Sequence, residues 1–169
     1  IGYMGRLVIP MHLTPQRPDK PMRLRTRMLL GICAEVCVPH KIDIDTMLDA
    51  PDLSPTPAIV AALASMPYSQ DEAGVHNATC AISPTADGMQ IKAQVSLPHT
   101  GGTEVAVIET GAEGLWISEA ITTRRGDTIT AVSQMVHADG GAFAIDRSAV
   151  RITIIGGDYA VDVRGCTAG

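Results

Sequence analysis

The sequence predicts an all-β protein in two parts, and three observations carry that reading. The second half breaks into short runs of β-favouring residues at regular spacing, divided by Gly- and Asp-rich turns. The first half alternates polar and apolar residues around a close pair of cysteines. Only one stretch, Ala58 to Met66, has the composition of a helix. With 169 residues, 46% of them hydrophobic but only 3% aromatic, the chain can fill a core, and Val, Ile, Leu, Ala and Met must do so.

Taken in order, Ile1 to Met11 reads as a strand, and Pro15, Pro18 and Pro21 impose an extended or turning connection after it. Met22 to Ile32 alternates again. Arg23, Arg25 and Arg27 fall on one face of it, and Met22, Leu24, Thr26 and Met28 on the other. The arginine row is read as a solvated strand face; its functional alternative is to raise the potential at a nearby thiolate together with His40 and Lys41. Lys41 to Leu48 gives one more short strand. Thr56 then caps a helix with Pro57 at its first position, Ile59, Val60, Leu63 and Met66 form its packing stripe, and Pro67 ends it.

Tyr68 to Asn77 is polar and reads as a linker, which places a first unit at residues 1–70 and a second at 77–169. The second unit is expected to hold strands at 79–82, 89–97, 104–108, 115–118, 128–136, 142–145, 150–155 and 159–163. That spacing is the pattern of an antiparallel sandwich, with Trp116 helping to fill its core. Asn77-Ala78-Thr79 matches a short glycosylation pattern.

The chemistry concentrates in Gly31-Ile32-Cys33-Ala34-Glu35-Val36-Cys37-Val38-Pro39-His40. Four cysteines allow three pairings, and the spacing favours Cys33 with Cys37 and Cys80 with Cys166, the latter a structural bridge suited to an oxidising compartment. Cys80 and Cys166 as small buried hydrophobes are the alternative. Chain-entropy estimates give a ring as small as Cys33–Cys37 roughly 2 kcal/mol, against about 4 to 5 kcal/mol for a loop near a hundred residues. The local pair is thus a poor staple and a better redox device. A soft metal set of Cys33, Cys37 and His40, suited to copper(I) or zinc and completed by Met11, His12 or Met28, is the competing reading. No cofactor is otherwise implied.

Other classes find no support. A formal net charge of −5 argues against a nucleic-acid partner. There is no nucleophile elbow, and His12, His76, His99 and His137 lie near turns without partners at ligand spacing. No apolar run is long enough to span a bilayer. The chain begins at Ile1 within strand-like sequence and is read as a processed or truncated piece.

The run Ile1-Gly2-Tyr3-Met4-Gly5-Arg6-Leu7-Val8-Ile9-Pro10, the Pro-rich connection, and Leu29-Leu30-Gly31-Ile32-Cys33-Ala34-Glu35-Val36-Cys37-Val38-Pro39 together resemble the amino-terminal periplasmic domain of the thiol:disulfide interchange family DsbD. The likeness is greatest to its relatives in suppressor-of-copper-sensitivity proteins, which carry Cys-x-x-x-Cys-x-Pro, and it is specific over about the first fifty residues. It implies a periplasmic immunoglobulin-like sandwich with Cys33 and Cys37 as the redox pair. By the same resemblance, electrons arrive from a membrane-embedded reductase through a thioredoxin-like domain and pass to oxidised periplasmic proteins. His40, by charge, and Glu35, by proton transfer, are the candidates for tuning the thiolate. The family's cap loop and upstream strands would precede Ile1. The expected fold is therefore a partial immunoglobulin-like sandwich with one helix, followed by a second immunoglobulin-like antiparallel sandwich.

Overall fold

Polar and apolar residues alternate on both sides of the cysteine pair, so the two segments zip together into one antiparallel ribbon. In the computed structural model, which describes residues 5–17, 20–48, 55–141 and 143–169, this ribbon is β1 (Met22–Cys33) paired with β2 (Cys37–Leu48). Its register runs unbroken from Met22 opposite Leu48 to Cys33 opposite Cys37. Lys41 to Leu48 is thus the lower part of a longer strand that begins at Cys37 and passes through Pro39. Proline is tolerated because a two-stranded ribbon has only edge strands.

The chain divides into two units, Ile1–Ala64 and Ser65–Gly169. In the first, residues 5–15 form no strand. The expected strand from Ile1 to Met11 is therefore not formed over its described part; residues 1–4 lie outside the described residues. The alternation there is loose, and Pro10 and Pro15 withhold the amide hydrogens that a ladder needs. Helix α1 spans Pro57–Ala64. Thr56 caps it, its Oγ1 accepting a bond from the Ile59 N–H at 3.4 Å and its carbonyl one from the Val60 N–H at 3.0 Å. No residue of α1 is buried, so the stripe of Val60, Leu63 and Met66 is not the packed face expected of it.

The second unit is a sandwich of two sheets. One has the order β3 (Tyr68–Ser69), β11 (Ala160–Arg164), β10 (Arg151–Ile155), β6 (Val105–Glu109). The other runs β12 (Thr167–Ala168), β4 (Asn77–Pro84), β5 (Met89–Ser96), β9 (Thr128–His137), β7 (Leu115–Ile117), with β8 (Ile121–Arg125) also on β9. Strict alternation supplies the core. Ile91, Ala93, Val95, Ile129, Ala131 and Met135 point inward from the larger sheet, and Ala106, Ile108, Ile152, Ile154, Val161 and Val163 from the smaller.

Four sequence expectations are corrected here. Tyr68 and Ser69 are not linker but pair in parallel with Val161 and Asp162. Residues 143–145 form no strand, and Ala142 lies outside the described residues. Trp116 is 60% exposed, because residues 115–117 turn Leu115 and Ile117 toward the core and Trp116 away from it. Strand β8 has no counterpart among the expected strands because its inward positions are polar. Thr122 accepts a bond from the Ala106 N–H at 3.0 Å, and Arg124 enters an ion pair, so the strand lacks apolar alternation.

Candidate functional site

The ribbon ends in a three-residue connection, Ala34-Glu35-Val36, closed by a bond from the Ala34 N–H to the Val36 carbonyl at 3.2 Å. Because Cys33 and Cys37 are directly opposed across the ribbon, their side chains leave the same face, and they are joined as a disulfide with Cα atoms 4.0 Å apart. Every residue from Gly31 to His40 is exposed. Gly31 stands on the sulfur face one pleat below Cys33, and a Cβ placed there would come within 3.8 Å of the Cys33 sulfur. Its bare backbone keeps that flank of the bridge open.

The tip of the ribbon carries apolar side chains on both faces: Leu29 on the sulfur face, Ile32 and Val38 on the opposite one, and Val36 in the connection. Leu29, Ile32, Val36 and Val38 are each at least 60% exposed. Large apolar side chains left in water at one tip, around a reactive group, form a contact surface rather than a core.

Parity along the strands decides which charged groups share the sulfur face. Successive residues alternate faces, so Cys33, Gly31, Leu29, Arg27, Arg25 and Arg23 stand together with Cys37, Pro39, Lys41, Asp43 and Asp45. His40, opposite Leu30, stands on the other face. The structure therefore does not bring His40 to the sulfurs, and the set Cys33, Cys37 and His40 is not assembled. Among the described residues no group of three or more His, Cys, Asp or Glu side chains is placed to hold a metal ion. Glu35 lies in the connection between the two cysteines, exposed and in no ion pair among the described residues.

The arginine row is paired as well as solvated. Arg23 grips Asp45 with two bonds of 2.7 Å, Arg25 lies 3.3 Å from the same carboxylate, and Arg27 bonds Asp43 at 2.8 Å. The Arg23 guanidinium holds the Asp45 carboxyl below its ordinary range, and Asp45 in turn raises Arg23. These exposed pairs fix cross-strand register more than they add stability.

The second bridge has a different setting. Cys80, fully buried on β4, is joined to the half-buried Cys166 across 86 residues of chain. It fastens the final strand, which pairs in parallel with Thr79 and Cys80. Backbone bonds from the Cys166 N–H to Arg147 at 3.1 Å and from the Gly165 N–H to Val150 at 2.7 Å hold the same segment.

One polar cluster has no counterpart among the sequence expectations. Glu104, its side chain 4% exposed, forms an ion pair with Arg124 and accepts bonds of 2.8 Å from both the N–H and the hydroxyl of Thr100. Arg124 also donates to the carbonyls of Leu97 and Gly126, each at 3.1 Å. Burial pushes the Glu104 carboxyl up, but bonds from Arg124 and Thr100, with the charge of Arg124, hold it down at about 2. The partners lie twenty residues apart, Glu104 just before β6 and Arg124 on β8, and no local pattern announces them. This is a loop-fastening device. Nearby, Gly156 is required by close approach, since a Cβ there would lie 2.2 Å from the Thr100 carbonyl oxygen.

The fold and site thus define a β-sandwich protein that also carries a ribbon tipped by an exposed disulfide. The solved structures include one of similar fold, the N-terminal periplasmic domain of ScsB from Proteus mirabilis, at a TM-score of 0.58 and 17% identity. The likeness covers 87% of this chain and 58% of that one, so this chain spans less than two thirds of its neighbour's length. At this identity the likeness establishes the immunoglobulin-like β fold. No protein-family model matches the chain, and no curated protein does. Among the described residues no helix is long and apolar enough to cross a membrane.

Proposed function

We propose that the protein is a periplasmic thiol:disulfide interchange module whose working group is the Cys33–Cys37 pair. The observation that carries this is the contrast between its two bridges. One, fully buried at Cys80, closes most of the second unit; the other spans three residues at a solvent-exposed tip that carries apolar side chains. A bridge that adds little stability and stands in the open is built for exchange.

In the reducing half-reaction, a thiolate of a thioredoxin-like donor attacks one sulfur of the pair. A mixed disulfide forms, the Cys33–Cys37 bond breaks, and the departing thiolate is protonated. The donor's second thiol then attacks the mixed disulfide, leaving the donor oxidised and Cys33 and Cys37 as a dithiol. Two electrons and two protons have moved. The reverse sequence hands them to an oxidised periplasmic protein, and a membrane-embedded reductase recharges the donor. Glu35, the ionisable side chain between the cysteines, is our candidate for passing the proton. The periplasmic setting of the ScsB domain and the two disulfides support the compartment.

The test is the reduction potential of the Cys33–Cys37 pair, measured by equilibration with glutathione buffers and thiol alkylation. A value in the range of about −180 to −270 mV, where exchange proteins lie, is expected. A value well below about −300 mV marks an inert bridge and refutes the role.

A further inference from the structure

The sulfur face of the ribbon is electrically polarised along its length. It carries four cations, Arg23, Arg25, Arg27 and Lys41, against two carboxylates, Asp43 and Asp45, a net of +2. The three arginines are engaged with those carboxylates. Lys41, opposite Leu29, makes no ion pair among the described residues and is the cation nearest the bridge on that face. It lies four residues from Cys37, about 13 Å along the strand, and its flexible stem lets the ammonium swing toward the sulfurs. Beyond the bridge, at the very tip, stands the carboxylate of Glu35. The disulfide therefore sits between a negative tip and a positive shaft, in a protein whose overall formal charge is −5.

From this we infer that the shaft selects redox partners whose reactive cysteines are flanked by carboxylates, and that Lys41 is the specificity-determining residue. The inference rests on the exchange reading above and deepens it. Such a partner lays its acidic rim over Lys41 and Arg27 and keeps clear of Glu35, so attack comes from the shaft side, where Gly31 leaves the bridge uncovered. A partner with a basic rim is pushed off the shaft. Charges at a contact rim act chiefly on association rate and on choice of partner, and their effect fades with salt.

The test uses two reduced Cys-x-x-Cys peptides, one flanked by glutamates and one by lysines, offered to the oxidised full chain at neutral pH. Reduction of Cys33 and Cys37 is followed by alkylation and mass spectrometry; each turnover oxidises one peptide dithiol and moves its two electrons and two protons to the bridge. At low ionic strength the acidic peptide is expected to react faster by on the order of three- to tenfold, with the advantage lost near 1 M salt. K41E should bring the ratio to about one or below, E35Q should raise it, and K92E, an equal change of net charge in the second unit, should leave it alone. Because the readout is a ratio between peptides, loss of proton transfer in E35Q slows both and does not mimic the effect. Equal rates with the two peptides, or a ratio that K41E does not move, overturn the inference while leaving exchange intact. Failure of both peptides to reduce the bridge removes the exchange reading itself, and this inference with it.

Discussion

Removing each disulfide in turn separates their roles by magnitude. The perturbation is a pair of double variants, C33A/C37A and C80A/C166A. For Cys80–Cys166, 86 positions apart in the chain, the chain-entropy relation gives about 4.6 kcal/mol of lost constraint on the unfolded chain. For Cys33–Cys37, separated by four, it gives about 2 kcal/mol. In the second unit, 1 kcal/mol is worth about 4 °C, so C80A/C166A should lower the melting midpoint by about 15–20 °C. C33A/C37A should leave the unfolding of that unit where it was. Thermal and urea unfolding followed by circular dichroism measures both. Graded addition of dithiothreitol with alkylation should find Cys33 and Cys37 reduced first and Cys80 last, since Cys80 is fully buried. If C33A/C37A costs as much as C80A/C166A, or Cys80–Cys166 is reduced first, the division into a working bridge and a structural bridge is refuted.

Two further outcomes follow from the second unit. Glu104 titrates at about 2 in the folded chain against an ordinary value of 4.5. A depressed carboxyl contributes stability in full above about pH 4.5 and loses it as pH falls toward 2, a difference on the order of 3 kcal/mol. Urea midpoints measured across that window should therefore fall steeply in the natural chain and much less in E104Q, which starts less stable at neutral pH; parallel curves would show that the ion pair with Arg124 does not hold the loop. Trp116, the single tryptophan, is 60% exposed. Its fluorescence should be red-shifted and readily quenched by acrylamide in the folded state, and W116A should change stability by less than about 1 kcal/mol; a blue-shifted, protected emission would contradict the outward placement.

Periodicity along the chain was enough to specify most of this protein, because a strand with one buried face writes its orientation into every second residue. That is how Met22–Cys33, Met89–Ser96, Thr128–His137 and Ala160–Arg164 could be read with little error, and why Thr56 and Pro57 located the start of the helix. The cysteine pair was visible for a different reason: two thiols four residues apart can bond only across a turn. Where inward positions are polar the signal fails, so β8 and the Glu104–Arg124 pair were hidden, their reason for existing lying on other strands. Trp116 was misjudged because size suggests burial, whereas parity along β7 decides it. The same parity governs the site. Pro39 reads as the end of one segment and Lys41 as the start of another, which discards the phase between Cys37 and the charges that follow. Only the continuous pairing of the ribbon restores that phase, placing His40 on the face away from the sulfurs and Lys41 on theirs. Sequence supplied the reactive pair, and the tertiary structure decided which charge it faces, because a one-residue step in a strand is a change of side.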